Sequence, residues 1–197
     1  MYGIYEDGRV IAKFIAPLGV KSNNPIKVSD TLSLKRQISR GTAQRWEIET
    51  AVEYLSHGAE DLFVNLVING YSENITVLMP QNYGASLRNT TTVNPNAAAS
   101  AGSNVIAVTG NDGTIPKGTF IRFSGVDTKV YMVTEDLTGD GNMYIYPNLR
   151  LDLNGTFTHR KDVLMLGLYD TDTVIGMTYT DGILMDIGTI RIVEKVT

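Results

Sequence analysis

The sequence predicts a mostly β fold in which both ends of the chain build one domain and the middle forms a second, smaller barrel. Three observations carry that expectation. Val, Ile, Thr, Tyr, Phe and Trp make up more than a third of the 197 residues, against only 11 Ala. Side chains branched at Cβ or aromatic fit a pleated sheet and lose rotamer freedom in a helix. Apolar residues alternate in runs near both termini, the period of a half-buried strand. Between those runs lies Asn89 to Asn104, NTTTVNPNAAASAGSN, uncharged and almost without large apolar side chains, followed by closely spaced short strand signals.

In chain order, residues 1–30 show short apolar stretches, Val10 to Ala12 and Phe14 to Ala16, broken by Pro17, Gly19, Asn23, Asn24 and Pro25. This reads as a ragged strand and a loop. Leu32, Leu34 and Ile38 fall at even spacings, and Trp46 and Ile48 repeat that phase beyond Ser39-Arg40-Gly41-Thr42, which predicts a hairpin. Ala59, Leu62, Phe63, Leu66 and Val67 form one helical stripe. Ser56 suits its N-cap, Glu60 and Asp61 suit its first turn, and Gly70 permits its exit. Such a helix would flank one face of the hairpin sheet. Ile75, Val77 and Met79 then alternate as a strand that stops at Pro80.

The stretch Asn89 to Asn104 buries too little to fold on its side chains and reads as a linker or extended arm. Beyond it, strands are expected over Val105 to Thr109, Thr119 to Ser124, Lys129 to Thr134 and Met143 to Tyr146, with Gly-rich turns between them. That spacing is the mark of a small barrel. Val163 to Tyr169, Thr173 to Thr180 and Gly188 to Val196 resume long strands, too few for a domain of their own. They are expected to pair with the first part of the chain. The domains are therefore 1–89 with 161–197, and an inserted 90–160 that folds apart as a passenger.

Composition excludes much chemistry. The absence of cysteine removes disulfides, thiolate metal sites and Cys nucleophiles, and two histidines cannot build a multi-histidine metal cluster. No cofactor is expected. A net charge of −4 supplies no general basic field for nucleic acid or anionic lipid. The first residues, MYGIYEDGRV, lack the pattern of a secretory signal, and Leu62 to Ile68 is too short to span a bilayer.

Six constellations could carry chemistry or binding. Asp136, Thr138, Asp140 and Asn142 with Gly141 resemble the front of a calcium loop, but Pro147 stands where the bidentate Glu belongs, so a hairpin turn is the better reading. Glu47 and Glu49 lie about 7 Å apart on one strand face, near the carboxylate spacing of an inverting glycosidase. With Trp46 and Ile48 on the opposite, buried face, they read instead as an ordinary solvated pair. His57 and His159 have no Ser–Asp partner pattern, and Gly139-x-Gly141 lacks the strand–turn–helix context of a phosphate loop. The chain is not expected to be an enzyme. Lys35, Arg36, Arg40 and Arg45 form the one basic concentration; an ordinary solvated β-turn is the better reading, over a surface that meets an acidic partner or a phosphate. Tyr144 and Tyr146 share a strand face, as do Tyr131 and Val133; they could stack a sugar or base, or fill the small barrel.

The order of elements has a precedent. A hairpin carrying Gly41-Thr42-Ala43-Gln44-Arg45-Trp46-Glu47 precedes an amphipathic helix and a strand ending Val77-Leu78-Met79-Pro80-Gln81. Then comes a small β-domain containing Ile115-Pro116-Lys117-Gly118, Lys129-Val130-Tyr131 and Tyr146-Pro147-Asn148-Leu149. Over roughly residues 30 to 197 this resembles the distal tail proteins of long-tailed bacteriophages, the type with an OB-like insertion. The resemblance implies a tail-tube-like β-sandwich or barrel with one flanking helix and an OB-like barrel projecting from it. It also implies a structural protein at the virion's tail tip or baseplate, assembled in the host cytoplasm. Six copies would close a ring joining the tail tube protein to the baseplate hub protein, with fibre or receptor-binding proteins outside. DNA would only pass through its lumen, where an acidic wall avoids phosphate contacts. The family brings no catalytic residues. Tyr144, Tyr146, Arg40 and Arg45 are the candidate partner or glycan contacts. The alternatives are a carbohydrate-binding module or another tail part, such as a tail terminator or a baseplate wedge attachment protein.

Overall fold

A computed structural model describes residues 2–6, 8–30, 36–40, 43–54, 74–81, 94–95, 97–154, 158–159, 163–170, 178–180, 183–186 and 189–196. Its strands run β1 (Gly3–Glu6), β2 (Arg9–Asn23), β3 (Ile26–Asp30), β4 (Arg36–Arg40), β5 (Arg45–Tyr54) and β6 (Ile75–Leu78). There follow β7 (Asn94–Pro95), β8 (Val105–Thr109), β9 (Thr114–Ile115), β10 (Phe120–Phe123), β11 (Val130–Val133) and β12 (Leu137–Thr138). The last six are β13 (Gly141–Tyr146), β14 (Thr158–His159), β15 (Leu164–Tyr169), β16 (Thr178–Thr180), β17 (Ile183–Asp186) and β18 (Thr189–Glu194). The fold is mostly β, and among the described residues there is no helix. The helix expected over 56–70 lies outside them.

Six strands close an antiparallel barrel in the order β1-β2-β5-β18-β15-β6. Both ends of the chain thus supply one barrel, because β18 pairs with β5 and β15 with β6. Period-2 alternation aims Ile4, Trp46, Ile48, Val52, Val77, Met165, Ile190 and Ile192 inward. The middle of the chain leaves after Leu78 and returns at Leu164, which face each other across the β6–β15 ladder. Met79 N donates to Val163 O at 2.9 Å, which fastens the two crossing points together.

The middle segment folds into a second six-stranded sheet, β14-β10-β11-β13-β8-β7. It wraps its own core, in which Ile106, Ile121, Phe123, Tyr131, Met143 and Leu153 are buried. Part of the expected arm belongs to this unit. Ala99 bridges Leu153, Gly102 N donates to Leu149 O at 2.7 Å, and Ile145 N donates to Asn104 O. Residues 97–104 have little apolar surface to bury, but their backbone amides and carbonyls bond as well as any others, and that is what holds them.

Three expectations are corrected. Residues 1–30 are not a ragged strand and loop but contain three strands; Pro17 and Gly19 fall within a register shift between Ile15 and Gly19, so β2 continues past its breakers. The hairpin is also displaced. β4 pairs with β3, Val28 opposite Ile38, while Trp46 and Ile48 sit on β5 between β2 and β18. Equal phase shows which face a residue takes, not which strand it pairs with. Third, the second unit does not fold wholly apart, since Phe120 and Val130 are buried in the barrel's core cluster.

Candidate functional site

The feature that sets this molecule apart is the seam where the second sheet meets the barrel. Along β18 the inward phase runs Ile190, Ile192, Glu194, so the same alternation that buries two isoleucines buries a carboxylate. On the other side, Lys129 immediately precedes the buried Val130 and Tyr131 and is carried inside with them. Lys129 Nζ pairs with Glu194 Oε2 and donates to Gln44 Oε1 at 2.6 Å. Trp46 N donates to Glu194 Oε2 at 3.0 Å and Val130 N to Glu194 Oε1 at 2.8 Å. Gln44 Nε2 donates to Ser22 Oγ at 3.0 Å. Every charge in the pair is thereby met by hydrogen bonds, the condition a buried ion pair needs. Burial pulls the Lys129 ammonium below the ordinary lysine range, and the charges of Glu194 and Asp127 oppose that pull without cancelling it.

Trp46 is the hub. Its Nε1 donates to Val130 O at 2.8 Å, and its ring meets Phe120 edge-on at 5.2 Å and Tyr146 at 6.3 Å. Gln81 brackets Phe120: Nε2 donates to Phe120 O at 2.9 Å, and Phe120 N donates to Oε1 at 3.0 Å. Arg122 Nη1 donates to Leu164 O at 3.0 Å and Thr128 Oγ1 to Lys195 O at 3.1 Å. An open cleft of about 1320 Å³ lies along the seam between Asn24, Arg45, Tyr146 and Arg150. The Lys129–Glu194 pair and Gln44 also line it.

The sequence-predicted residues take separate places. Tyr146 is fixed in the seam, packed on Trp46, with Asn24 Nδ2 donating to its hydroxyl. Tyr144 is half-buried on the same strand face, opposite the inward Met143 and Ile145, so neither tyrosine fills the small barrel's core. Tyr131 and Val133 do. Arg45 is exposed beside Glu47, Nε to Oε1 3.4 Å. Arg40 lies on β4 opposite Ile26. Lys35 and His57 lie outside the described residues, and His159 sits on β14 opposite Arg122. The basic concentration is therefore divided between a hairpin and a barrel strand.

Glu47 and Glu49 are not an equivalent solvated pair. Glu47 is buried, held by Asn23 Nδ2 at 2.6 Å, Arg191 Nη2 at 2.7 Å and Arg45. Burial raises its carboxyl, but the hydrogen bonds from Asn23 and Arg191 and the charges of Arg191 and Arg45 outweigh that and hold it below the ordinary 4.5. Glu49 stays exposed and pairs with Lys21. Asn23 and Arg191, both distant in the sequence, cover Glu47. In the Asp136–Asn142 turn, Asp140 accepts from Asn111 N at 2.8 Å and Thr109 Oγ1 at 3.1 Å, while Asp136 accepts from Lys117 N at 2.7 Å. The two carboxylates lock two different turns. Among the described residues no three His, Asp or Glu side chains come together to hold a metal.

Sequence reasoning missed the Lys129–Glu194 pair. The signal was present: Glu194 continues the phase of Ile190 and Ile192, and a charge in an inward phase needs a partner. In outline, the site is a polar lock inside an apolar junction, chemistry suited to holding parts in register. No protein-family model matches the chain, and no curated protein matches it in sequence.

Proposed function

We propose that this chain is a structural virion protein without catalytic activity. It forms a ring, six copies in the closed form, at the distal end of a phage tail. There it joins the tail tube to the baseplate hub and to peripheral fibre or receptor-binding proteins. Under this reading the closed barrel is the tail-tube-like unit, flanked by a helix over 56–70, and the second sheet is the OB-like insertion.

The observation that carries the reading is the β3–β4 hairpin. It forms a two-stranded sheet of its own, and all of β3 is exposed. Val28 and Ile38 face each other across it, and with Ile26 they are 46%, 57% and 51% exposed. A lone two-stranded hairpin is at best marginally stable in water, and an apolar face on it calls for cover. A second copy supplies that cover in a head-to-tail contact, and such contacts close rings when the rotation allows. The barrel itself has no free edge for a neighbour to extend, and the hairpin offers one.

Light scattering on the purified chain tests the assembly: a stable species of about 130 kDa, six times the 21.6 kDa chain, is expected. Antibody labelling of phage particles carrying the protein then places it at the tail tip. A monomer at every concentration, or label at the head-proximal end, overturns the reading.

A further inference from the structure

We propose that two latches on adjacent strands fasten the second sheet to the barrel so that both move and unfold as one body. One latch is Glu194 gripping Lys129 and Val130; the other is Gln81 gripping Phe120. This inference stands independently of any role in a phage tail.

The usual expectation for an inserted unit joined by two crossing segments is a small, polar junction that permits relative motion. Here the junction has the make-up of an interior. Phe120 and Val130, both from the second sheet, are 8% and 0% exposed within the barrel's cluster, and Met132 and Tyr146 pack against it. Trp46 of the barrel lies among them, its indole N–H satisfied by Val130 O. Removing the second sheet would expose that indole and leave Glu194 without Lys129.

The latches resist different motions. Gln81 contacts both the N–H and the C=O of Phe120, as a neighbouring strand would, so sliding along β10 breaks two bonds together. Glu194 contacts Val130 N, Trp46 N and Lys129 Nζ, joining β11, β5 and β18 at one carboxylate. Rotation about either latch is opposed by the other. The polar groups along the cleft are engaged within the seam: Gln44 with Lys129 and Ser22, Asn24 with Tyr146, Asn23 with Glu47. A buried polar network with its members satisfied rigidifies and specifies one arrangement.

The chain contains no cysteine, so a pair introduced at two exposed positions labels cleanly. Thr189→Cys on the barrel and Glu135→Cys in the turn that follows β11 of the second unit, carrying spin labels, report the distance between the two units in the full chain. One narrow distance distribution is expected, together with one calorimetric transition whose van't Hoff and calorimetric enthalpies agree. Gln81→Ala and Glu194→Gln are each expected to widen or split the distribution. Two calorimetric transitions or a broad distribution in the parent chain overturn the proposal. So does a distribution that stays as narrow in both variants. Should Glu194→Gln fail to fold, Gln81→Ala decides, since it strands no buried charge.

Discussion

Lys129 and Glu194, 65 residues apart in the chain, meet as an ion pair with side chains only 3% and 0% exposed. The pair is asymmetric. Glu194 also accepts two backbone N–H groups, whereas among the described residues the ammonium's further hydrogen bond goes to Gln44. Removing one partner of a buried pair costs about 3–5 kcal/mol when the other is stranded. Glu194→Leu, which strands an ammonium and two amides, is expected to reach or exceed that range. Lys129→Met leaves the carboxylate its two amide donors and is expected to be milder. Joint replacement by Met and Leu does not restore stability, because the N–H groups of Trp46 and Val130 still lose their acceptor. Urea midpoints of the three variants check the ranking.

Trp46 is the one tryptophan, so its fluorescence reports the seam alone. Phe120→Ala removes the ring at 5.2 Å and is expected to destabilise by roughly 3–5 kcal/mol, the usual range for a buried Phe. The folded variant's emission shifts to the red as water reaches the indole. An unchanged spectrum counts against the packing described.

Glu47 links stability to pH. Its folded carboxyl titrates below the ordinary 4.5, so the folded state binds fewer protons than the unfolded chain in the interval between the two values. The contribution is fully present above 4.5 and is lost as pH falls through the lower, folded value. Glu47→Gln is therefore expected to be less stable than the parent near neutral pH, with the gap closing under acid. Denaturant titrations across that interval test the sign.

Gly3 and Gly167 are demanded by close approach. A Cβ on Gly3 would stand 1.9 Å from Ala12 O, and one on Gly167 2.6 Å from Ile192 Cγ2. Overpacking of this kind costs about 1–3 kcal/mol. Gly3→Ala is expected at or above the upper end, because the obstacle is backbone. Gly167→Ala is expected to be milder, since its nearest obstacle at 2.6 Å is a side-chain methyl and the nearest backbone atom, Val193 O, lies 3.3 Å away, and melting temperatures rank the two.

Ile38→Asp probes the hairpin. At 57% exposure the change is expected to alter monomer stability by no more than about 0.5 kcal/mol. It is nevertheless expected to shift the oligomer toward monomer in light scattering. An unchanged mass removes this face from the interface.

The sequence by itself determined the β class, the strands near 75–79, 105–109 and 163–169, and the shared phase of Trp46 with Ile48 and of Ile75 with Val77. These follow from composition and a two-residue period, which any strand displays along its own length. Tertiary structure alone decided that β5 pairs with β2 and β18 instead of β4, and that Phe120 enters the barrel core. It also decided that Lys129 finds Glu194, and that Glu47 is ringed by Asn23, Arg45 and Arg191. The physical reason is range. Alternation says which way a side chain points, but the choice of neighbour is settled by bonds between residues tens of positions apart, for which a local pattern holds no information.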